Sequence, residues 1–190
     1  MTAPSTSRTS AALAQLICGV RGVVEEGGEP ASTGARVADI LRPYLGRDDL
    51  LLPEQMQPAE GCYSQHVLHV EPGGSFSVVS LVWLRGQSTP IHDHISWCVV
   101  GVHKGEEHET LYATHGTNGD RHLVVTGQTI SPVGAVAALV PPGDIHHVAN
   151  GGESLAVSLH IYGADIGRLG SSIRRHYDLE VRQQAAAAMA

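Results

Sequence analysis

The sequence predicts an all-β core, a closed or sandwiched antiparallel barrel, with helices on its N-terminal side and a short helical tail. Three observations carry this. Between Gln65 and Gly163 the chain runs in short β-branched segments punctuated by Gly, Pro, Asn and Asp. Ahead of them lies a run with helical periodicity, and after Arg174 the chain ends in "QQAAAAMA". With 190 residues, 42% of them hydrophobic, one core is expected, divided as 1–60 (helical extension packed on the barrel), 61–165 (barrel) and 166–190 (C-terminal segment).

In chain order, Ser10 is positioned to cap a helix through "AALAQLICGVRGVVEE", whose apolar stripe is Leu13, Leu16, Ile17, Val20 and Val23 or Val24. Gly27 and Gly28 stop it. A second helix is expected at "TGARVADILRPYLG". The strand segments are "QHVLHV", "FSVVSLVWL", "SWCVVGVHK", "HETLYA", "RHLVVTG", "VAALV", "HHVAN" and "LAVSLHIYG". About eight strands at such spacing suit a barrel or sandwich.

Composition narrows the partners. The net charge is -7, and the 12 Lys and Arg are dispersed, so no basic surface for nucleic acid or an anionic membrane is expected. No run approaches the ~20 apolar residues of a spanning helix. The N-terminal stretch is read as carrying no export signal. Cys18, Cys62 and Cys98 are an odd number at unrelated spacings, which fits a reducing cytoplasm. A small molecule is the expected partner, and the oligomeric state is left open.

The chemistry gathers in "TPIHDHISWCVVGVHKGEEH". A chain with 12 histidines scatters some into strands as ordinary core residues, so only spacing can distinguish ligands from core. Residues two apart on a strand share a face: His92 and His94 project together, with Ser96 and Cys98 continuing the row. In "PPGDIHHVAN", His146 follows a Pro-Gly turn at the start of another strand, where it can complete a three-histidine metal set, while His147 faces the other way. Ser158, His160 and Tyr162 alternate in "AVSLHIYG" and share a face in turn.

The first stretch, Gly86 followed by His92, His94, Cys98 and Gly105, resembles the first signature of the cupin superfamily, with Cys where most cupins carry a Glu ligand. The stretch from Pro141 through His146 to Asn150 resembles the second, although Gly134 lies one residue too far upstream. The resemblance implies a jelly-roll β-barrel. A metal held by three neutral imidazoles keeps its full double positive charge and open positions, which suits an anionic, bidentate substrate. Among cupins this set resembles the thiol dioxygenases, most closely the cysteine dioxygenase family, over roughly residues 60–165.

That resemblance implies Fe(II) on His92, His94 and His146, a small thiol acid and O2 as substrates, and a sulfinic acid as product. It implies that Tyr162, hydrogen-bonded by His160 and oriented through Ser158, presents its phenol to the reacting centre. Animal-type members grip the carboxylate with an Arg ahead of the first signature, but "YSQHVLHVEPGGSFSVVSLVW" contains none, and Gln65 or His66 occupies that neighbourhood. Relatives of the 3-mercaptopropionate type use an Arg after the Tyr strand, where this chain has Arg168, Arg174 and Arg175, with Arg168 the expected anchor. The expected activity is therefore 3-mercaptopropionate-like thiol dioxygenation, with L-cysteine or another thiol acid such as mercaptosuccinate as alternatives. From a different class, a metal-dependent isomerase or a non-catalytic binding module remains open. Cys98 stands where animal-type members form a thioether with the Tyr corresponding to Tyr162; otherwise it is a small buried hydrophobe.

Overall fold

The computed structural model describes residues 9–117 and 119–183. Helix α1 spans Ala11–Glu25, and the Ser10 hydroxyl accepts from Leu13 N at 3.0 Å as its N-cap while donating to Leu50 O at 2.7 Å. Leu13, Leu16, Ile17, Val20 and Val23 are buried, as the periodicity requires. Gly27 and Gly28 carry the chain out with φ of 72° and 135°.

Helix α2, Pro30–Leu41, begins three residues before the expected Thr33, because Pro30 sits in the first turn, where its missing N–H costs nothing. It also ends early. Pro43 cannot donate to an α-helical ladder, and Arg42–Tyr44 tighten into a 3-10 turn.

Eleven strands follow among the described residues: β1 Ser64–Val70, β2 Ser77–Trp83, β3 His92–His94, β4 Cys98–Lys104, β5 Glu106–His115, β6 His122–Pro132, β7 Val136–Leu139, β8 His146–Ala149, β9 Ala156–Tyr162, β10 Ile173–His176 and β11 Val181–Arg182. They form two sheets, ordered β1-β2-β9-β4-β7 and β10-β3-β8-β5-β6-β11, in a jelly-roll barrel.

The five-stranded sheet is covered on both faces, which is why every residue of β2 and β9 is buried. Val78, Val82, Val99, Val157, Leu159 and Ile161 face the helices and share one core with Leu13, Leu16, Val37 and Leu41. Each such fully buried side chain contributes about 1.5–3 kcal/mol. Val79, Leu81, Trp83, Cys98, Ala156 and Tyr162 point the other way, into the barrel. Helix α2 comes very close to the sheet at Gly101, where an added Cβ would lie 2.7 Å from Leu41 Cδ2 and 2.8 Å from Leu45 Cδ1.

Two expectations are corrected here. His92, His94, Ser96 and Cys98 do not form one continuous row: β3 ends at His94, the chain crosses between sheets, and β4 opens at Cys98 in the other sheet. The C-terminal helical tail is likewise replaced by strands as far as residue 183. After a single helical turn, α3 (Ile166–Leu169), β10 pairs antiparallel with β3 and β11 pairs parallel with β6. The physical reason is the open edge of β3. Its N–H and C=O groups need partners, and the buried Asp93 draws Arg174, Arg175 and Tyr177 onto that edge at 2.5, 2.8 and 2.8 Å. The alanine run at 185–188 lies outside the described residues.

Candidate metal centre

His92 and His146 are register partners on β3 and β8, and His94 lies two residues along the same strand as His92. All three are buried, and the nitrogens available for ligation lie within 4.8 Å of one another. Each ring is fixed from behind. His92 Nδ1 donates to Pro90 O at 2.9 Å, His94 Nδ1 to Asp144 Oδ2 at 2.9 Å, and His146 Nδ1 to Glu109 Oε1 at 2.6 Å. These bonds turn each Nδ1 outward and leave the three Nε2 atoms facing one another across the same small space.

His92 Nε2 and His146 Nε2 are 3.2 Å apart. At that separation two ring nitrogens can share one proton or ligate one metal ion, and with the third imidazole close by the donor set fits a divalent metal. Burial, then the neighbouring His146, hold the His92 imidazole down to about 3, so it is neutral and ready to ligate. Asp144 is placed twice over, accepting also from His94 N at 3.0 Å. Burial alone would raise its pKa, but these bonds from His94 overcome burial and lower it.

Asp93, between the two histidines in sequence, points away from this centre. Burial pushes its carboxyl up, but the hydrogen bonds from Arg174, Arg175 and Tyr177 prevail and hold it below the usual range.

Across the cavity, β9 presents a continuous chain. Ser158 Oγ lies 2.9 Å from His160 Nε2, and Tyr162 OH lies 3.0 Å from His160 Nδ1. Burial keeps the His160 imidazole well below its ordinary value and the Tyr162 phenol well above, so both are neutral and pass hydrogen bonds rather than charge. Cys98 Sγ is 4.0 Å from His160 Nδ1. Burial, followed by the charges of Asp144, Glu107 and Glu109, keeps it a thiol.

A narrow cavity of about 30 Å³ lies between the histidines and this row, also lined by Tyr63, Gln65, Thr89, Ser171 and Ser172. Gln65 is thus brought to the site. His66 is not: strand alternation turns it away, and its Nε2 donates to Gln57 O at 2.8 Å. Arg168 sits exposed on α3, outside this lining, while Arg174 and Arg175 are engaged by Asp93. Among the described residues lining the cavity there is no Lys or Arg.

Sequence reasoning missed the groups behind the three histidines. Asp144 stood two residues before His146 and was visible as a neighbour, whereas Glu109 is brought in by the β5–β8 pairing, which no local pattern announces. Tyr63, Thr89, Ser171 and Ser172 were missed for the same reason.

A family model described as "Cysteine dioxygenase type I" matches residues 60–169, more than half of the chain. Among solved structures, the chain is similar to a conserved protein with a double-stranded beta-helix domain from Klebsiella pneumoniae, at 20% identity over 60% of this chain and 88% of that one, with a TM-score of 0.44. It is also similar to a cupin superfamily protein from Desulfitobacterium hafniense, at 16% identity over 62% and 93%, with a TM-score of 0.45. A recombinant oxalate oxidase in complex with glycolate matches at 18% identity over 63% and 62%, with a TM-score of 0.46.

Proposed function

Because the chain belongs to the cysteine dioxygenase type I family, we propose that it is an Fe(II)-dependent thiol dioxygenase, converting a small thiol carboxylic acid of the 3-mercaptopropionate kind and O2 into a sulfinic acid. The observation that carries this reading is three convergent imidazoles, with no carboxylate in the set, facing the Ser158–His160–Tyr162 chain across a narrow cavity. Iron, when bound, supplies a Lewis-acidic and redox-active centre that brings sulfur and O2 together, so that oxygen insertion becomes intramolecular.

The remaining roles belong to the protein. Asp144, Glu109 and the Pro90 carbonyl fix the imidazole planes and tautomers. Tyr162 presents a neutral hydroxyl to the substrate, held in place by His160. Leu81, Val148 and Ile173 line the same cavity and keep water scarce around the reacting sulfur. Gln65, with the Ser171 and Ser172 hydroxyls, offers neutral donors to the substrate carboxylate. His92, His94 and His146, holding a divalent cation without a carboxylate, would leave its charge to oppose that of the substrate.

The test is purification with iron analysis, followed by O2 uptake with 3-mercaptopropionate, L-cysteine, mercaptosuccinate and cysteamine, with the product identified by mass. The expected result is one O2 consumed per thiol, a sulfinate product, and the highest kcat/KM for 3-mercaptopropionate. Equal turnover of cysteamine, which has no carboxylate, would remove the thiol-acid assignment. Bound zinc with no thiol-dependent uptake would point to an isomerase or a binding module.

A further inference from the structure

The Ser158–His160–Tyr162 chain does not stop at Ser158. Ser158 Oγ also accepts from Trp83 Nε1 at 3.3 Å. Both groups act on the carboxyl of Glu107 on β5, holding its pKa down. Glu107 is only 4% exposed, and its Oε1 has no hydrogen-bond partner among the described residues. A buried carboxylate with an unpaired oxygen is costly, and protonation is the ordinary escape.

Burial pushes this group up to about 7; the charge of Glu109 adds to the rise, while Ser158 and Trp83 oppose it. The other charged or titratable groups around it are Cys98 and Tyr162, both of which feel its charge, and Arg42 and His146, which line the same cavity. That cavity is a second one, of about 410 Å³, bounded by β4 to β8. It meets the metal cavity at His146 and Val148, but its open side is lined by Arg42, Ile130 and Ser131 rather than by Tyr63 and Gln65. Glu107 therefore stands between solvent and the buried hydrogen-bond chain.

We infer that Glu107 is the terminal base of this chain, taking up the proton that a thiol loses in the metal cavity and releasing it to solvent through the second cavity. The inference rests on the thiol-dioxygenase reading above. A thiol at near-neutral pH carries its proton, and only the thiolate is a strong ligand or nucleophile. The thiol proton passes to the Tyr162 oxygen as the phenol hydrogen moves to His160 Nδ1. The hydrogen on His160 Nε2 moves to Ser158 Oγ, and the serine hydroxyl hydrogen moves to the Glu107 carboxylate. One proton is transferred, no electrons move, and His160 ends as neutral as it began. Glu107 ends as a carboxylic acid and loses its proton to water.

The experiment pairs the iron-loaded wild-type protein with Glu107→Gln, Glu107→Asp and Ser158→Ala. The first readout is the infrared carboxylic C=O band of the metal-free or zinc-loaded protein across pH, which does not depend on activity. A band titrating with a midpoint near 7, lost in Glu107→Gln and retained in Ser158→Ala, is expected. A Glu107 that is ionised throughout about pH 5.5–9 overturns the inference.

The second readout is kcat/KM against pH. Wild type should lose activity as pH falls below about 7, because a protonated Glu107 accepts nothing. Glu107→Gln and Ser158→Ala should each lose that limb and fall by about 10²-fold. If either keeps the wild-type limb and rate, the inference fails. Should Glu107→Gln not fold, Glu107→Asp serves in its place. A shifted midpoint in both readouts supports the relay, and an unmoved one overturns it. A wild-type protein that oxidises no thiol would refute the proposed function, leaving the infrared titration to judge Glu107 separately.

Discussion

Cys98 and Tyr162 are register partners on the neighbouring antiparallel strands β4 and β9. Residues directly opposite in such a pair hold their Cβ atoms about 4.5–5.5 Å apart on one face, and here that face is the barrel interior. Both side chains converge on His160 Nδ1, at 4.0 Å from the sulfur and 3.0 Å from the phenol oxygen.

This juxtaposition leads to the first prediction. Peptide mapping of iron-loaded protein after aerobic turnover should recover a Cys98–Tyr162 linked peptide lacking two hydrogens, absent from Cys98→Ser. On the proposed thiol-dioxygenase reading the oxidant is O2, which takes the two electrons as the two hydrogens leave. If both peptides return unmodified, Cys98 is a packing residue and no more. Activity is expected to persist without the link.

The groups behind the histidines make a second prediction. Asp144→Asn and Glu109→Gln each leave the three ligands in place but weaken the hold on one ring, so metal affinity should drop by about 10–100-fold. His146→Ala should abolish iron loading and turnover together. Competition with a chelator measures the first, metal analysis the second. Stoichiometric iron in His146→Ala would undo the ligand assignment.

Position also bears on the proposed recognition of a carboxylate. Gln65→Ala should cut kcat/KM for 3-mercaptopropionate by about 3–10-fold, the worth of one net hydrogen bond. Arg168→Ala should change it by less than about 3-fold, because Arg168 is exposed and outside the cavity lining. A loss of one to two decades in Arg168→Ala would return the anchor to α3.

These outcomes mark what the sequence made legible. Strand alternation was enough to align His92 with His94 and Ser158 with His160 and Tyr162, because parity is a local property. It also separated Gln65 from His66, without saying which of the two faced inward. That choice depends on the β1–β2 register, where Gln65 sits opposite the interior-facing Leu81. Glu109 and Glu107 were hidden for the same reason, and the C-terminal strands were masked by an alanine-rich ending whose helical texture said nothing about the open edge of β3.

That edge supports a stability prediction. Asp93 is almost wholly buried, while its partners Arg174 and Arg175 are 40% and 53% exposed. Discounting for solvent on the arginine side, Asp93→Asn should cost about 2 kcal/mol, or about 4–8 °C in Tm by calorimetry. It should also lower metal affinity, because β3 carries two of the ligands. An unchanged Tm would mean that β10 is held by its backbone pairing alone.

Acid should act on a different junction. Glu71, beyond the end of β1, accepts from Arg21 of α1 at 2.9 and 3.0 Å and pairs with His69 at 2.9 Å. The bonds from Arg21, then His69, hold its carboxyl down to about 2. A depressed carboxylate contributes its stability above the unfolded value of about 4.3 and loses it as pH falls through the folded value. Glu71→Gln should therefore destabilise the protein by about 1 kcal/mol at neutral pH, discounted for the partly exposed Arg21. Denaturant melts of the two proteins should converge near pH 2 and separate again above about pH 5. Parallel curves at every pH would place the effect elsewhere.

The pairing of β10 with β3 also sets a timetable. Arg175 reaches Asp93 across 82 positions of chain, so a ribosome that has finished both histidines of β3 must still translate the rest of the barrel before their strand gains its outer neighbour. Domains are made from the N-terminal end at a few residues per second or faster, and helix α1 and helix α2 emerge long before that edge is covered. Until then the outer edge of β3 lacks its pairing strand. The strand that carries His92 and His94 thus gains its outer neighbour only once residues 173–177 have been made.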